Sequence, residues 1–232
     1  MSKVLFTGIF LITMSAYTLC SAQNIKVIKK TKLLQQQVTI DSNYKMVELQ
    51  SIIPLIRYDI RYATTNNFTN QQLHNSGKTS FLRLPVAQAL LAVHNDLRKN
   101  NYNIKIFDAY RPYNVTKKMW ELIRDERYVA NPAKGSGHNR GIAVDLTIVD
   151  NNTGAELNMG TGYDNFTDTA HHTFTNFSNT VLQNRQLLKS TMEKHGFKAL
   201  ETEWWHYSYP NDRQYDVLDI DPKKLAKIKY KQ

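Results

Sequence analysis

The chain has 232 residues, 30 Lys and Arg against 20 Asp and Glu, a formal net charge of +10, and is 41% apolar and 11% aromatic. That balance excludes disordered, collagen-like and disulfide-scaffold classes, and at about 100–200 residues per domain it fits one folded domain that buries its own core. The basic residues are scattered, apart from Lys26, Lys29, Lys30 and Lys32 and a tail from Lys223 to Lys231, so no nucleic acid is expected as a partner and the charge suits an anionic cell envelope or plain solubility.

Met1-Ser2-Lys3 is a positive start, residues 4–19 are sixteen residues without a charge, and Cys20-Ser21-Ala22 ends in small residues. Residues 1–22 read as a secretory signal peptide cleaved after Ala22, which predicts an exported, periplasmic protein with no stable membrane insertion. Sixteen residues fall short of the about 20 that a retained spanning anchor needs, and Leu19 is bulky where a lipoprotein site takes a small residue. Cleavage removes the only cysteine, leaving no thiol nucleophile, Cys-ligated zinc or disulfide. Residues 23–45 are polar and lysine-rich and are expected to form a loosely held N-terminal arm, with residues 46–232 as the domain.

Pro85 followed by Val86, Ala89, Leu90, Val93 and Leu97 predicts an amphipathic helix that stops at Lys99-Asn100-Asn101. The run 103–107 alternates as a strand ahead of Asp108. A second helix follows Pro112 with Val115, Met119, Leu122 and Ile123. Residues 141–148 alternate as a strand, 150–176 are rich in Asn, Thr and Gly and read as a long functional loop, and 178–195 form a third helix closed by Gly196. The aromatic stretch 197–209 is a strand bounded by Gly196 and Pro210. This order lacks regular βαβ alternation, so the expected fold is α+β, a single domain with helices packed on a mostly antiparallel sheet.

Chemistry concentrates in three strings. In Ser136-Gly137-His138-Asn139-Arg140-Gly141-Ile142-Ala143-Val144-Asp145, alternation puts Asp145 on the strand face shared with the small Ala143 and with Thr147, and a glycine-flanked turn lets His138 approach it. In Glu203-Trp204-Trp205-His206-Tyr207, a glutamate precedes a histidine by three residues, a pairing that suits a general base beside a metal ligand. A flat strand aims positions 203 and 206 to opposite faces, so this reading requires a twist or bulge. His138, Asp145 and His206 together form a three-ligand set suited to zinc with a fourth position open, although a histidine taken singly is more often structural. In Asp108-Ala109-Tyr110-Arg111-Pro112, the Arg111 fork matches a carboxylate or a developing oxyanion, or else pairs with Asp108 and merely pins the turn.

These strings make the chain resemble the dipeptidase branch of the zinc D-Ala-D-Ala carboxypeptidase family. The resemblance spans residues 47–215. It rests on Ser136, His138, Gly141, Ala143 and Asp145 in an S-x-H-x-x-G-x-A-x-D pattern and on the string from Glu203 to Tyr207. Further support comes from Asp59-Ile60-Arg61-Tyr62-Ala63-Thr64 with Asn67-Phe68, from the Arg111 string, and from Met159-Gly160-Thr161-Gly162-Tyr163-Asp164 with His171-His172. Gly162-Tyr163 departs mildly from the family's usual wording.

The resemblance implies one zinc ion at the sheet held by His138, Asp145 and His206, with Glu203 as general base and Arg111 as transition-state stabiliser. It also implies that Asp164 meets the substrate's free amino group and that Ser136 helps hold the substrate. His171 and His172 receive no metal. The implied reaction is hydrolysis of the dipeptide D-Ala-D-Ala to two D-alanines. The alternatives are a D,D-carboxypeptidase or peptidoglycan endopeptidase acting on longer cell-wall peptides, and a zinc-stabilised binding module without catalysis.

Overall fold

The computed structural model describes residues 25–75 and 79–230; the predicted signal peptide lies outside them. Strands are β1 (Val27–Ile28), β2 (Met46–Glu48), β3 (Arg57–Tyr58), β4 (Phe81–Arg83), β5 (Tyr102–Asp108), β6 (Ala143–Asp150), β7 (Lys198–Leu200), β8 (Glu203–Ser208) and β9 (Val217–Leu218). Helices are α1 (Thr31–Ile40), α2 (Leu84–Arg98), α3 (Tyr113–Leu122), α4 (Gly137–Arg140), α5 (Asn179–Lys194) and α6 (Pro222–Leu225).

The main sheet runs β3-β5-β6-β8-β7. β5, β6, β8 and β7 pair antiparallel in that order, while β3 joins β5 in parallel. The sheet is therefore mixed, with its expected antiparallel character in every pairing except that edge. Val144, Leu146 and Ile148 of β6 join Leu90, Val93 and Leu97 of α2 and Leu188 and Met192 of α5 in one buried cluster. Alternation turns Ala143, Asp145 and Thr147 the other way, toward the face that carries the polar site.

The three expected helices form, but in the second only Val115 and Met119 of the expected stripe are buried: Leu122 is 52% exposed and Ile123 lies just past the helix end. Pro85 sits in the first turn of α2, where its missing N–H costs no hydrogen bond. The Ser178 hydroxyl caps α5 by accepting from the Val181 N–H, and Gly196 follows at φ +88°, a left-handed conformation that favours glycine.

Residues 25–45 correct the expected loose arm. β1 pairs in parallel with β9, Lys26 forms an ion pair with Asp216 at 2.9 Å, and α1 buries Leu34 completely. Leu34 and Val38, four residues apart, give α1 an inner side that packs with Ile28, Met46, Phe81, Tyr110, Leu218 and Leu225. Lys32 of α1 and the preceding Lys26, Lys29 and Lys30 are exposed. Leu34→Ala is expected to lower unfolding stability by about 2–5 kcal/mol, the cost of a core truncation, readable by chemical denaturation; a change within experimental scatter would show that α1 adds little to the fold.

Buried Arg83 locks this region to the site. It donates to the carbonyls of Arg140 at 2.8 Å and Tyr44 at 2.7 Å and lies against the rings of Tyr44 and Tyr215. The Arg140 carbonyl belongs to α4, the turn that carries His138.

Candidate active site

Two irregularities in the sheet shape the site. Ile106 pairs with Leu146 but Asp108 pairs with Asp145, so β5 holds one extra residue at Phe107. On the other side, Ala199 pairs with Tyr207 but Leu200 with Glu203. This second shift lies within β8 and supplies the bulge required for Glu203 and His206 to line one cavity.

His138 is presented by α4, a single helical turn where sequence suggested only a glycine-flanked turn. Ser136 caps it: its Oγ accepts from the Asn139 N–H, and the Asn139 side chain accepts in return from the Ser136 N–H. Gly141 closes the turn at φ +72°, and a Cβ there would stand 2.9 Å from the Met46 sulfur. Glycine thus lets the chain turn from α4 into β6 within two residues of Ala143.

Three donor atoms converge. His206 Nδ1 lies 2.8 Å from Asp145 Oδ1, and His138 Nε2 lies 3.2 Å from His206 Nδ1 and 3.4 Å from Asp145 Oδ1. Ligands about 2.0–2.2 Å from a tetrahedral zinc stand about 3.3 Å apart, close to these spacings. His138 Nδ1 is 2.8 Å from the Ala109 carbonyl, an acceptor only, so Nδ1 carries the proton and the Nε2 lone pair faces the other two atoms. Lone pairs gathered so closely repel unless a cation or proton lies among them, and two neutral imidazoles with one carboxylate suit a divalent ion. Among the described residues this is the one His/Cys/Asp/Glu group with metal-ligand convergence.

The surrounding electrostatics serve the same point. His138 and His206 overcome the burial that opposes the charge of Asp145 and hold its carboxyl well below the usual range. Burial pushes Glu203, 9% exposed, up to about 7, with Asp145 adding to the rise and His206 and Arg111 opposing it. Burial, then the nearby charge of Asp145, raises Asp164 well above an ordinary carboxyl. Arg111 is buried with its Nε 3.3 Å from Asp108 Oδ2 and its guanidinium 5.1 Å from the centre of the Tyr62 ring. The ion pair that pins the turn and the exposure of Arg111 to the cavity thus coexist.

Ser136, His138, Asp145, Asp164, Glu203, His206 and Arg111 all line one cavity of about 290 Å³. Asp164 comes from the long loop after β6 and has a positive φ of 58°. Arg185 of α5 fixes this loop, donating to the carbonyls of Met159 at 2.7 Å, His171 at 3.0 Å and Thr169 at 2.8 Å. His171 and His172 stay outside the donor group; the His172 ring stands edge-on to Tyr207, and burial lowers its pKa to about 4.

Sequence reasoning missed two hydroxyls. Tyr62 donates to Asp164 at 3.0 and 3.2 Å, and Tyr163 donates to Asp145 Oδ2 at 2.9 Å. Both tyrosines lie in strings that carry the family resemblance, but nothing in the spacing reveals which carboxylate each meets.

Two imidazoles, a carboxylate and a buried glutamate in one cleft match the donor set and base that metal-dependent hydrolases use. The protein-family comparison gives a match described as D-ala-D-ala dipeptidase over residues 42–221. The D-alanyl-D-alanine dipeptidase of Escherichia coli is 30% identical over 174 residues, 75% of this chain and 89% of that protein. That of Enterococcus faecium is 31% identical over 70% of this chain and 93% of that protein. Among solved structures, the LD-carboxypeptidase LdcB is 21% identical over 65% of this chain and 71% of that chain, at a TM-score of 0.37. The chain belongs to the D-Ala-D-Ala dipeptidase family of metallopeptidases.

Proposed function

We propose that this protein hydrolyses free D-Ala-D-Ala to two D-alanines, with one zinc ion held by His138, Asp145 and His206. The observation that carries the reading is the convergence of those three donor atoms in the cavity that also holds Glu203, Arg111 and Asp164. Zinc bound there supplies Lewis acidity, which polarises a carbonyl and acidifies water near neutral pH.

The chain's own groups supply the rest. Glu203 takes the proton of the attacking water and passes it to the departing amine, a role suited to a carboxyl whose pKa burial brings toward the working pH. Arg111, held by Asp108, faces the charge that grows on the carbonyl oxygen as its carbon becomes tetrahedral. Asp164 receives the substrate's ammonium. Its raised pKa reflects burial and the nearby charge of Asp145, which outweigh Tyr62 and Arg111, and an incoming ammonium supplies a closer compensating charge. The Ser136 hydroxyl accepts from Asn139 through its oxygen and keeps its own proton to donate toward the substrate.

Selectivity for a dipeptide follows from the same geometry. The cavity lies at the bottom of the about 300–1,000 Å³ range of small-molecule sites, and a half-buried carboxyl such as Asp164 favours a ligand whose ammonium pairs with it over one that leaves it unpaired. Read with residues 1–22 as a cleaved signal peptide, the enzyme acts in the periplasm on dipeptide released from cell-wall fragments.

The deciding assay compares free D-Ala-D-Ala with N-acetyl-D-Ala-D-Ala, each with and without a chelator. Free dipeptide is expected to be cleaved, the acylated form to be poor, and the chelator to abolish turnover that added zinc restores. Equal or faster cleavage of the acylated form would assign the enzyme to longer wall peptides, and chelator-resistant turnover would remove the metal from the mechanism.

A further inference from the structure

Tyr163 precedes Asp164 on the long loop, and its hydroxyl donates to Oδ2 of Asp145 at 2.9 Å. The other oxygen, Oδ1, is the one that faces the imidazoles of His206 and His138. The tyrosine ring is held on several sides: its centre lies 4.7 Å from that of Phe107, 5.4 Å from Trp205 and 6.1 Å from Tyr62, and the Arg61 guanidinium lies 5.8 Å from it. A ring so enclosed delivers its hydroxyl to one place.

We propose that Tyr163 is a positioning residue for the metal, occupying one carboxylate oxygen of Asp145 so that only the other is offered to the ion. The inference rests on the reading of His138, Asp145 and His206 as the metal site. A carboxylate with both oxygens free can chelate an ion through two positions, whereas a catalytic site must keep a position open. Partners that orient a ligand also set affinity, and their loss typically weakens metal binding about 10–100-fold. The Tyr62 hydroxyl, which lines the cavity, meets Asp164 instead, so on this proposal the two tyrosines divide the work between metal and substrate.

The test is zinc affinity by competition with a chromophoric chelator, on full-length wild type and Tyr163→Phe, with melting of both metal-free proteins as a control. Tyr163→Phe is expected to raise the zinc Kd about 10–100-fold while the metal-free melting temperature stays close to wild type. In the cobalt-substituted protein, the visible bands of the variant are expected to weaken as the freed second oxygen raises the coordination number. Tyr163→p-aminophenylalanine, which keeps a donor on the ring, is expected to restore zinc affinity; failure of that rescue counts against the proposal even if Tyr163→Phe is too unstable to measure. Tight wild-type binding with an unchanged Kd in Tyr163→Phe overturns this proposal alone. A wild type that binds no zinc overturns the metal reading and this proposal with it.

Discussion

Glu203→Ala is expected to lower kcat on free D-Ala-D-Ala by about 10²–10⁴, the usual worth of a positioned general base, while the protein retains one zinc per chain. The two readouts separate because Glu203 lies outside the donor group of His138, Asp145 and His206. Its carboxyl reaches the cavity through the bulge in β8, so truncation removes a proton acceptor and leaves the ligand atoms in place. The pH profile carries the sign. As pH falls, Glu203 takes up a proton and ceases to be a base, so wild-type turnover declines on the acid side. The residual activity of Glu203→Ala is expected to lack that limb. Undiminished turnover in this variant would remove Glu203 from the reaction.

Asp145→Asn, in contrast, is expected to lose metal and activity together. The change is nearly isosteric, yet it removes the negative charge of the donor set and replaces one carboxylate oxygen with an amide nitrogen that cannot ligate. The affinity loss should exceed the about 10–100-fold typical of an outer partner, so elemental analysis after dialysis should find well under one zinc per chain. Stoichiometric zinc in Asp145→Asn, or activity at the level of wild type, refutes the ligand assignment. Glu203→Ala and Asp145→Asn thus form a pair, one keeping the ion without its base and the other keeping the base without its ion.

The parts of the site legible in the sequence are those whose chemistry is written in short strings. His138 and Asp145 are seven residues apart on a turn and the strand it enters, and strand alternation alone separates Asp145 from Val144 and Leu146. The histidine and glutamate at 206 and 203 were legible as a pair only on condition of a bulge, and the shift between Ala199 and Leu200 meets that condition. The reach of Tyr163 to Asp145 was not legible, because it depends on how a long irregular loop folds back across the sheet. Period-based reading also fails for strands of two residues. β1 and β9 are stabilised by pairing across 190 positions of chain, and β3 is an edge strand recognised only by its partner. The α1 segment was misjudged from its lysines, since one buried leucine placed four residues from a valine decides its packing more than its net charge does.

The clamp that Arg185 places on the loop has a consequence for how such an enzyme could diversify. Between the anchored carbonyls of Met159 and Thr169 lie both Asp164, proposed above to meet the amino end, and Tyr163, whose hydroxyl reaches the Asp145 carboxylate and is proposed to orient it. Any exchange of this short stretch that broadens the accepted peptides while discarding the tyrosine also loosens the grip on the ion. On that proposal scope and metal retention are linked in this stretch, and variants that gain tolerance by losing the tyrosine are expected to need more zinc for full occupancy.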